Sequence, residues 1–161
     1  MNRLLQAGLV AVAVTIAATP ALIAKPHSET SAIAGTWILN PALSKSVGPA
    51  MKSETRIYTV DGIKVTLLAD GIDASGKHVS NSYAAAYDGK FYPTVNNPVG
   101  DSIALTKVDS HTVTAILHKG SKIAATARAV VSHDGKHLTI TRKTGTPPAK
   151  LVTTVAAYDR K

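Results

Sequence analysis

Glu54-Thr55-Arg56-Ile57-Tyr58-Thr59-Val60-Asp61-Gly62-Ile63-Lys64-Val65-Thr66-Leu67-Leu68 is two runs of strand-like residues joined by a tight-turn pair. From Ile63 onward Ile63, Val65 and Leu67 alternate with Lys64, Thr66 and Leu68, a period of two rather than the 3.6 of a helix. Asp-Gly between such runs marks a hairpin, because a short hairpin turn needs positive φ, which glycine adopts at no steric cost. The pair recurs at Asp88-Gly89 and Asp134-Gly135, each time between two more alternating stretches.

Working outward from that hairpin, strands are expected over residues 33–39, 54–60, 63–68, 78–87, 91–95, 103–107, 112–118, 123–132, 138–143 and 151–158. A Pro- and Ser-rich connection fills 40–53, and Asn96-Asn97-Pro98 breaks the pattern once more. No segment carries a helical period. The expected fold is all-β, an antiparallel up-and-down meander closing into a single barrel of roughly 8–10 strands. Closure also removes the open edges through which an isolated sheet aggregates. With 161 residues the chain has room for one domain and one core.

Alternation sorts the side chains into faces. Val79, Tyr83, Ala85 and Tyr87 share one, as do Val113, Ala115 and Leu117, and Ile123, Ala125, Ala127, Ala129 and Val131. This inward face is rich in alanine, and the chain holds a single Phe. Small inward side chains mean either a narrow barrel whose walls meet or a space that bulkier residues would have filled. A barrel of about eight strands sits at that boundary, wide enough to fill with side chains or to hold one small ligand.

The ends and the charge bound the setting. Asn2 and Arg3 precede a run of small apolar residues that ends at Ala21 and Ala24, the layout of a secretory signal peptide. Residues 1–24 are therefore expected to be removed on export, 25–32 to form a flexible leader, and 33–161 to form the barrel. The apolar run is short of the roughly 20 residues that span a bilayer, so no transmembrane span is expected after processing. The chain has no Cys, which excludes a disulfide framework and thiolate chemistry. Its net charge is +8. An exported basic protein meets anionic envelope polymers and lipid head groups, not intracellular nucleic acid. Lys77, Lys90, Lys119, Lys122 and Lys136 flank expected turns, where a solvated rim is the ordinary role of a lysine.

Gly35-Thr36-Trp37, in the first expected strand, resembles the Gly-x-Trp signature of lipocalin and related calycin barrels. The resemblance implies that Trp37 closes one end of the barrel while a basic residue from a late strand packs across it. Arg142 shares a face with Leu138 and Ile140 and is the first choice for that residue, with Arg160 second. A closer resemblance is to small exported lipocalin-like proteins of bacteria. Their pattern is matched here by Gly35-Thr36-Trp37-Ile38-Leu39-Asn40 with Ser44-Lys45, by Tyr87-Asp88-Gly89-Lys90-Phe91-Tyr92-Pro93, and by Tyr158-Asp159-Arg160 at the end. It spans about residues 33–160 and implies a lipocalin-like barrel, periplasmic or secreted, with no catalytic residues to carry over.

Other motifs fail on geometry. Gly71-Ile72-Asp73-Ala74-Ser75-Gly76-Lys77-His78 approaches a phosphate-binding loop, but that chemistry needs Ser or Thr after the Lys and a helix behind it. His78 stands there instead, and a strand follows. Ser132-His133-Asp134 holds the residue types of a hydrolase triad, yet strand neighbours point to opposite faces. Ser102, after Gly100-Asp101, lacks the second glycine and the helix of a nucleophile elbow. His133 and His137 flank a turn, and two histidines fall short of the three or four ligands of a zinc site. No catalytic residue, metal or cofactor is expected.

The sequence thus points to a non-enzymatic exported barrel that binds a small, mostly apolar ligand. Tyr83, Tyr87, Ala115, Ala125, Ala127 and Ala129 would line the site, and Trp37 and Arg142 would close the barrel. The alternative is a filled barrel that uses its basic rim to contact envelope polymers or a protein partner.

Overall fold

A computed structural model describes residues 31–145 and 150–161. The signal peptide expected over 1–24 and the leader as far as residue 30 lie outside the described residues. The ten strands are β1 (Gly35–Leu39), β2 (Ser53–Asp61), β3 (Lys64–Ile72), β4 (His78–Ala86), β5 (Phe91–Val95), β6 (Ser102–Lys107), β7 (Thr112–Lys119), β8 (Lys122–Val131), β9 (His137–Thr144) and β10 (Val152–Arg160). Each pairs antiparallel with its neighbour in sequence, and β10 returns to β1, so the sheet is a closed barrel. No helix occurs among the described residues.

Turn chemistry sets the two ends. Gly62, Gly89 and Gly135 all have positive φ, at 58°, 73° and 72°. Only the first belongs to a two-residue loop, since Asp61 pairs with Lys64 across Gly62-Ile63. The other two lie in longer connections, where the aspartate caps the loop. Asp88 Oδ1 accepts the Lys90 amide at 3.0 Å, and Asp134 Oδ1 accepts the Lys136 amide at 3.0 Å. Because strands alternate in direction, all three Asp-Gly pairs fall at the end where β1 begins. The opposite end carries the long 40–52 connection and the loops near residues 73–77, 96–101 and 120–121.

The first strand starts two residues later than expected because Ile33 is turned beneath the barrel. Its carbonyl accepts Trp37 Nε1–H at 2.8 Å, and Trp37 is fully buried. Ser31 and Ala32, placed in the leader from sequence, are tied down here. Ser31 is buried, and the Ala32 amide donates to the Ser110 carbonyl at 2.7 Å. Around the plug sit Leu138, Val65, Val131, Leu105 and Val113, all buried.

The Asn40 and Ser44-Lys45 residues have a fastening role. Asn40 Nδ2 donates to Asp159 at 2.7 Å, Ser44 Oγ accepts the Ala157 amide at 3.0 Å, and Lys45 exchanges backbone hydrogen bonds with Val155. β1 is only five residues long. The segment after it continues down the edge of β10 and covers backbone groups that would otherwise be unpaired.

Candidate ligand cavity

Inside the barrel, above the Trp37 plug, lies a cavity of about 560 Å³ that runs to the open end. Its walls are aliphatic: Leu67 and Val79 on one side, Ile103, Leu105, Val113 and Leu117 on another, and Ala127, Ala129 and Ile140 on a third. Its mouth lies among Pro41, Ser46, Pro49, Met51, Asn97 and Pro98. Alanine explains the space. Ala115 faces Ala127 across the β7–β8 pair, and Val113 faces Ala129, so that wall is too thin to fill the centre. Of the two meanings left open by the alanine pattern, an enclosed space is the one observed.

Of the six residues expected to line a site, Tyr83, Ala115, Ala127 and Ala129 line this cavity. The other two do not. Tyr87 lies beyond the end of β4 on the plugged side, with its hydroxyl 3.5 Å from Ser31 Oγ. Ala125 is on the inward face but packed into the core at 1 % exposure. The barrel-closing pair also needs correcting. Arg160, not Arg142, covers Trp37, with its Cζ 4.1 Å from the ring centroid. Register explains this, because Arg160 lies opposite Trp37 across β1–β10. Arg142 sits four residues beyond Leu138, well up the wall, and faces the cavity.

A polar cluster that the sequence reading did not assign occupies one side of the cavity. β2 turns Glu54, Arg56 and Tyr58 inward, and β10 adds Tyr158. Arg56 grips Glu54 with two nitrogens, at 3.0 Å and 3.2 Å, and donates a third hydrogen bond to the Tyr58 hydroxyl at 3.3 Å. The Tyr158 hydroxyl donates to Glu54 Oε2, the oxygen that also accepts Arg56 Nε–H. Burial raises the affinity of Glu54 for a proton, but the Arg56 charge and the hydrogen bonds from Arg56 and Tyr158 outweigh it and hold the carboxyl below its ordinary pKa. Tyr158 is shifted up by burial and by the carboxylate it serves, against the pull of Arg56, so it remains a donor. Tyr83 is shifted well up, first by burial and then by Tyr58.

The alternation around Ile57 hides this cluster, because the apolar residue of that run points outward and is 42 % exposed. Hairpin parity would have found it. With Asp61 opposite Lys64, Tyr58 faces Leu67, Arg56 faces Ala69 and Glu54 faces Gly71. Facing residues share a side of the sheet, so an inward Leu67 makes all three inward.

Elsewhere the tempting groups stay apart. His133 approaches His111, with ring centroids 5.3 Å apart, and His137 bonds Asp159 at 2.8 Å. No group of three or more His, Cys, Asp or Glu that could hold a metal ion occurs among the described residues. The five turn lysines are all exposed and are divided between the barrel ends: Lys77, Lys119 and Lys122 at the open one, Lys90 and Lys136 at the plugged one.

No family model matches the chain, and no curated protein matches it. Among solved structures it is similar to lobster apocrustacyanin A1, with a TM-score of 0.45 and 16% identity over 81% of this chain and 61% of that one. It is similar to apocrustacyanin C2, with a TM-score of 0.46, 15% identity and coverage of 81% and 62%. A third similar structure is EF1p2_mFAP2b bound to DFHBI, with a TM-score of 0.46, 8% identity and coverage of 83% and 98%. The chain thus spans about three fifths of the length of the two apocrustacyanins.

Proposed function

We propose that this protein is an exported, non-catalytic binding protein that holds one small, mostly apolar molecule inside its barrel. The observation that carries this reading is the cavity of about 560 Å³, plugged at one end by Trp37 and open at the other. That volume falls within the roughly 300–1,000 Å³ of small-molecule sites. Its aliphatic walls supply the burial term, about 25 cal/mol per Å² of apolar ligand surface removed from water. The polar side chains are grouped on one side, which suits orientation of a ligand. Export rests on the reading of residues 1–24 as a signal peptide.

Fluorescence titration with a hydrophobic environment-sensitive probe tests the reading. Saturable one-to-one uptake is expected, and Ala127→Phe, which places a ring in the cavity, should abolish it. Uptake that is unsaturable, or unchanged in the variant, would place the probe outside the barrel and overturn the proposal. Native mass spectrometry of protein purified from its own host, before and after denaturation, would reveal a stoichiometric companion directly.

A further inference from the structure

One half-buried charge lining the cavity lacks a counter-charge of its own. Arg142 Nε is buried without a hydrogen-bond partner, and no ion pair to Arg142 forms among the described residues. The nearby carboxylate is already committed, since Glu54 receives two nitrogens of Arg56 and the Tyr158 hydroxyl. Two guanidiniums therefore share one carboxylate, and the cluster carries a net charge of about +1 with Arg56 and Glu54 ionised. Burial and the positive charge of Arg56 both pull the Arg142 pKa down, as expected for a cation held beside another without a full partner.

Burying an uncompensated charge opposes folding, and buried charges are normally paired. In register Arg142 lies between Ala127 and Thr154, neither of which can supply a negative charge. The cation faces an aliphatic cavity that reaches the open end, so a molecule entering that cavity can bring the missing charge. Resting on the proposed binding function, we infer that the ligand is an amphipathic monocarboxylate, its apolar body against the alanine wall and its carboxylate on Arg142. A planar carboxylate matches the guanidinium fork in shape as well as charge. A net charge of one calls for a single negative charge rather than a phosphate dianion or a polyanion. Tyr83, whose hydroxyl has no hydrogen-bond partner among the described residues, provides a second donor lining the same cavity.

The test compares 11-(dansylamino)undecanoic acid with its methyl ester, titrated by fluorescence into the full protein and into Arg142→Met. The unmodified protein should bind the acid about tenfold more tightly than the ester, the value of one charge-assisted contact. Arg142→Met should remove that preference by weakening the acid while leaving the ester unchanged. Equal binding of acid and ester by the unmodified protein would overturn the carboxylate assignment and leave the binding function standing. A preference that survives in a folded Arg142→Met would equally overturn the role of Arg142. Binding of neither probe would count against the cavity as a ligand site and would remove the inference with it. The acid-to-ester comparison on the unmodified protein decides the carboxylate even if the variant does not fold.

Discussion

The Arg160 guanidinium lies 4.1 Å from the centre of the Trp37 indole, and the two residues face each other across the β1–β10 pair that closes the barrel. Its N–H groups donate to the carbonyls of Ala32, Ala34 and Gly135. One side chain thus ties the leader, the start of β1 and the β8–β9 turn beneath the plug. Gly35 makes this possible: its φ is 131°, and a Cβ there would run into Arg160 Nη1. The Gly-x-Trp spacing has a local physical cause, with the glycine clearing space for the cation that covers the indole.

Three substitutions should therefore destabilise the plug in a fixed order. Trp37→Ala empties a fully buried site and should cost about 3–5 kcal/mol. Gly35→Ala forces a strained φ and a displaced guanidinium, at about 1–3 kcal/mol. Arg160→Ala loses exposed contacts and should cost least, about 0.5–1 kcal/mol. Urea unfolding monitored by far-UV circular dichroism measures all three. A Trp37→Ala loss below about 1 kcal/mol would mean that the indole is not a plug.

Glu54 and Arg142 should respond in opposite directions, although they belong to one cluster. Glu54→Gln removes the buried negative charge that faces two half-buried cations and should destabilise by about 3–5 kcal/mol. Arg142→Met removes the cation without a partner and should leave the ligand-free protein as stable as before or up to about 2 kcal/mol more so. Thermal melts of the two variants in ligand-free buffer check the pair. Similar losses in both would show that Arg142 is satisfied in the folded protein.

The same carboxylate predicts an acid limb. Its folded pKa lies below its ordinary value, despite burial, because of Arg56 and the hydrogen bonds it accepts. Stability from Glu54 is thus fully present above the unfolded value of about 4.3 and is lost as pH falls through the lower folded value. The melting-temperature gap between the unmodified protein and Glu54→Gln should be widest near neutrality and narrow steadily below about pH 4. A gap independent of pH would show that folding leaves the Glu54 pKa unshifted.

Local chemistry made the meander legible in the residues, and registry did not. The Asp-Gly pairs and the alternation of Val65, Leu67, Val113 and Leu117 report on neighbours a few positions away, and they placed the ten strands to within a few residues at nearly every end. Which arginine covers Trp37 depends on how β10 meets β1 after the whole barrel has closed, and alternation alone ranked Arg142 first. Glu54, Arg56 and Tyr58 were hidden for a different reason. A hydrophobicity pattern takes the apolar residue to be inward, and in β2 the inward face is the polar one. Tyr87 was misplaced because parity carries no information about height, and the strand ends before that residue.

Ala127 gives the sharpest separation between stability and binding. It faces Ala115 on one side and Arg142 on the other, and lines the cavity. Overpacking normally costs about 1–3 kcal/mol because neighbours must move, but a ring built here can enter the void instead. Burial of the added apolar surface then favours the folded state, so Ala127→Phe should be neutral or gain up to about 2 kcal/mol in the ligand-free protein. The same ring occupies the volume a ligand needs, so probe uptake should fall by at least tenfold, as about 1.4 kcal/mol of lost contact would give. Melting temperature and probe titration on one preparation read both effects. A large destabilisation would mean that the walls close around Ala127 and that the space is not available to a ligand.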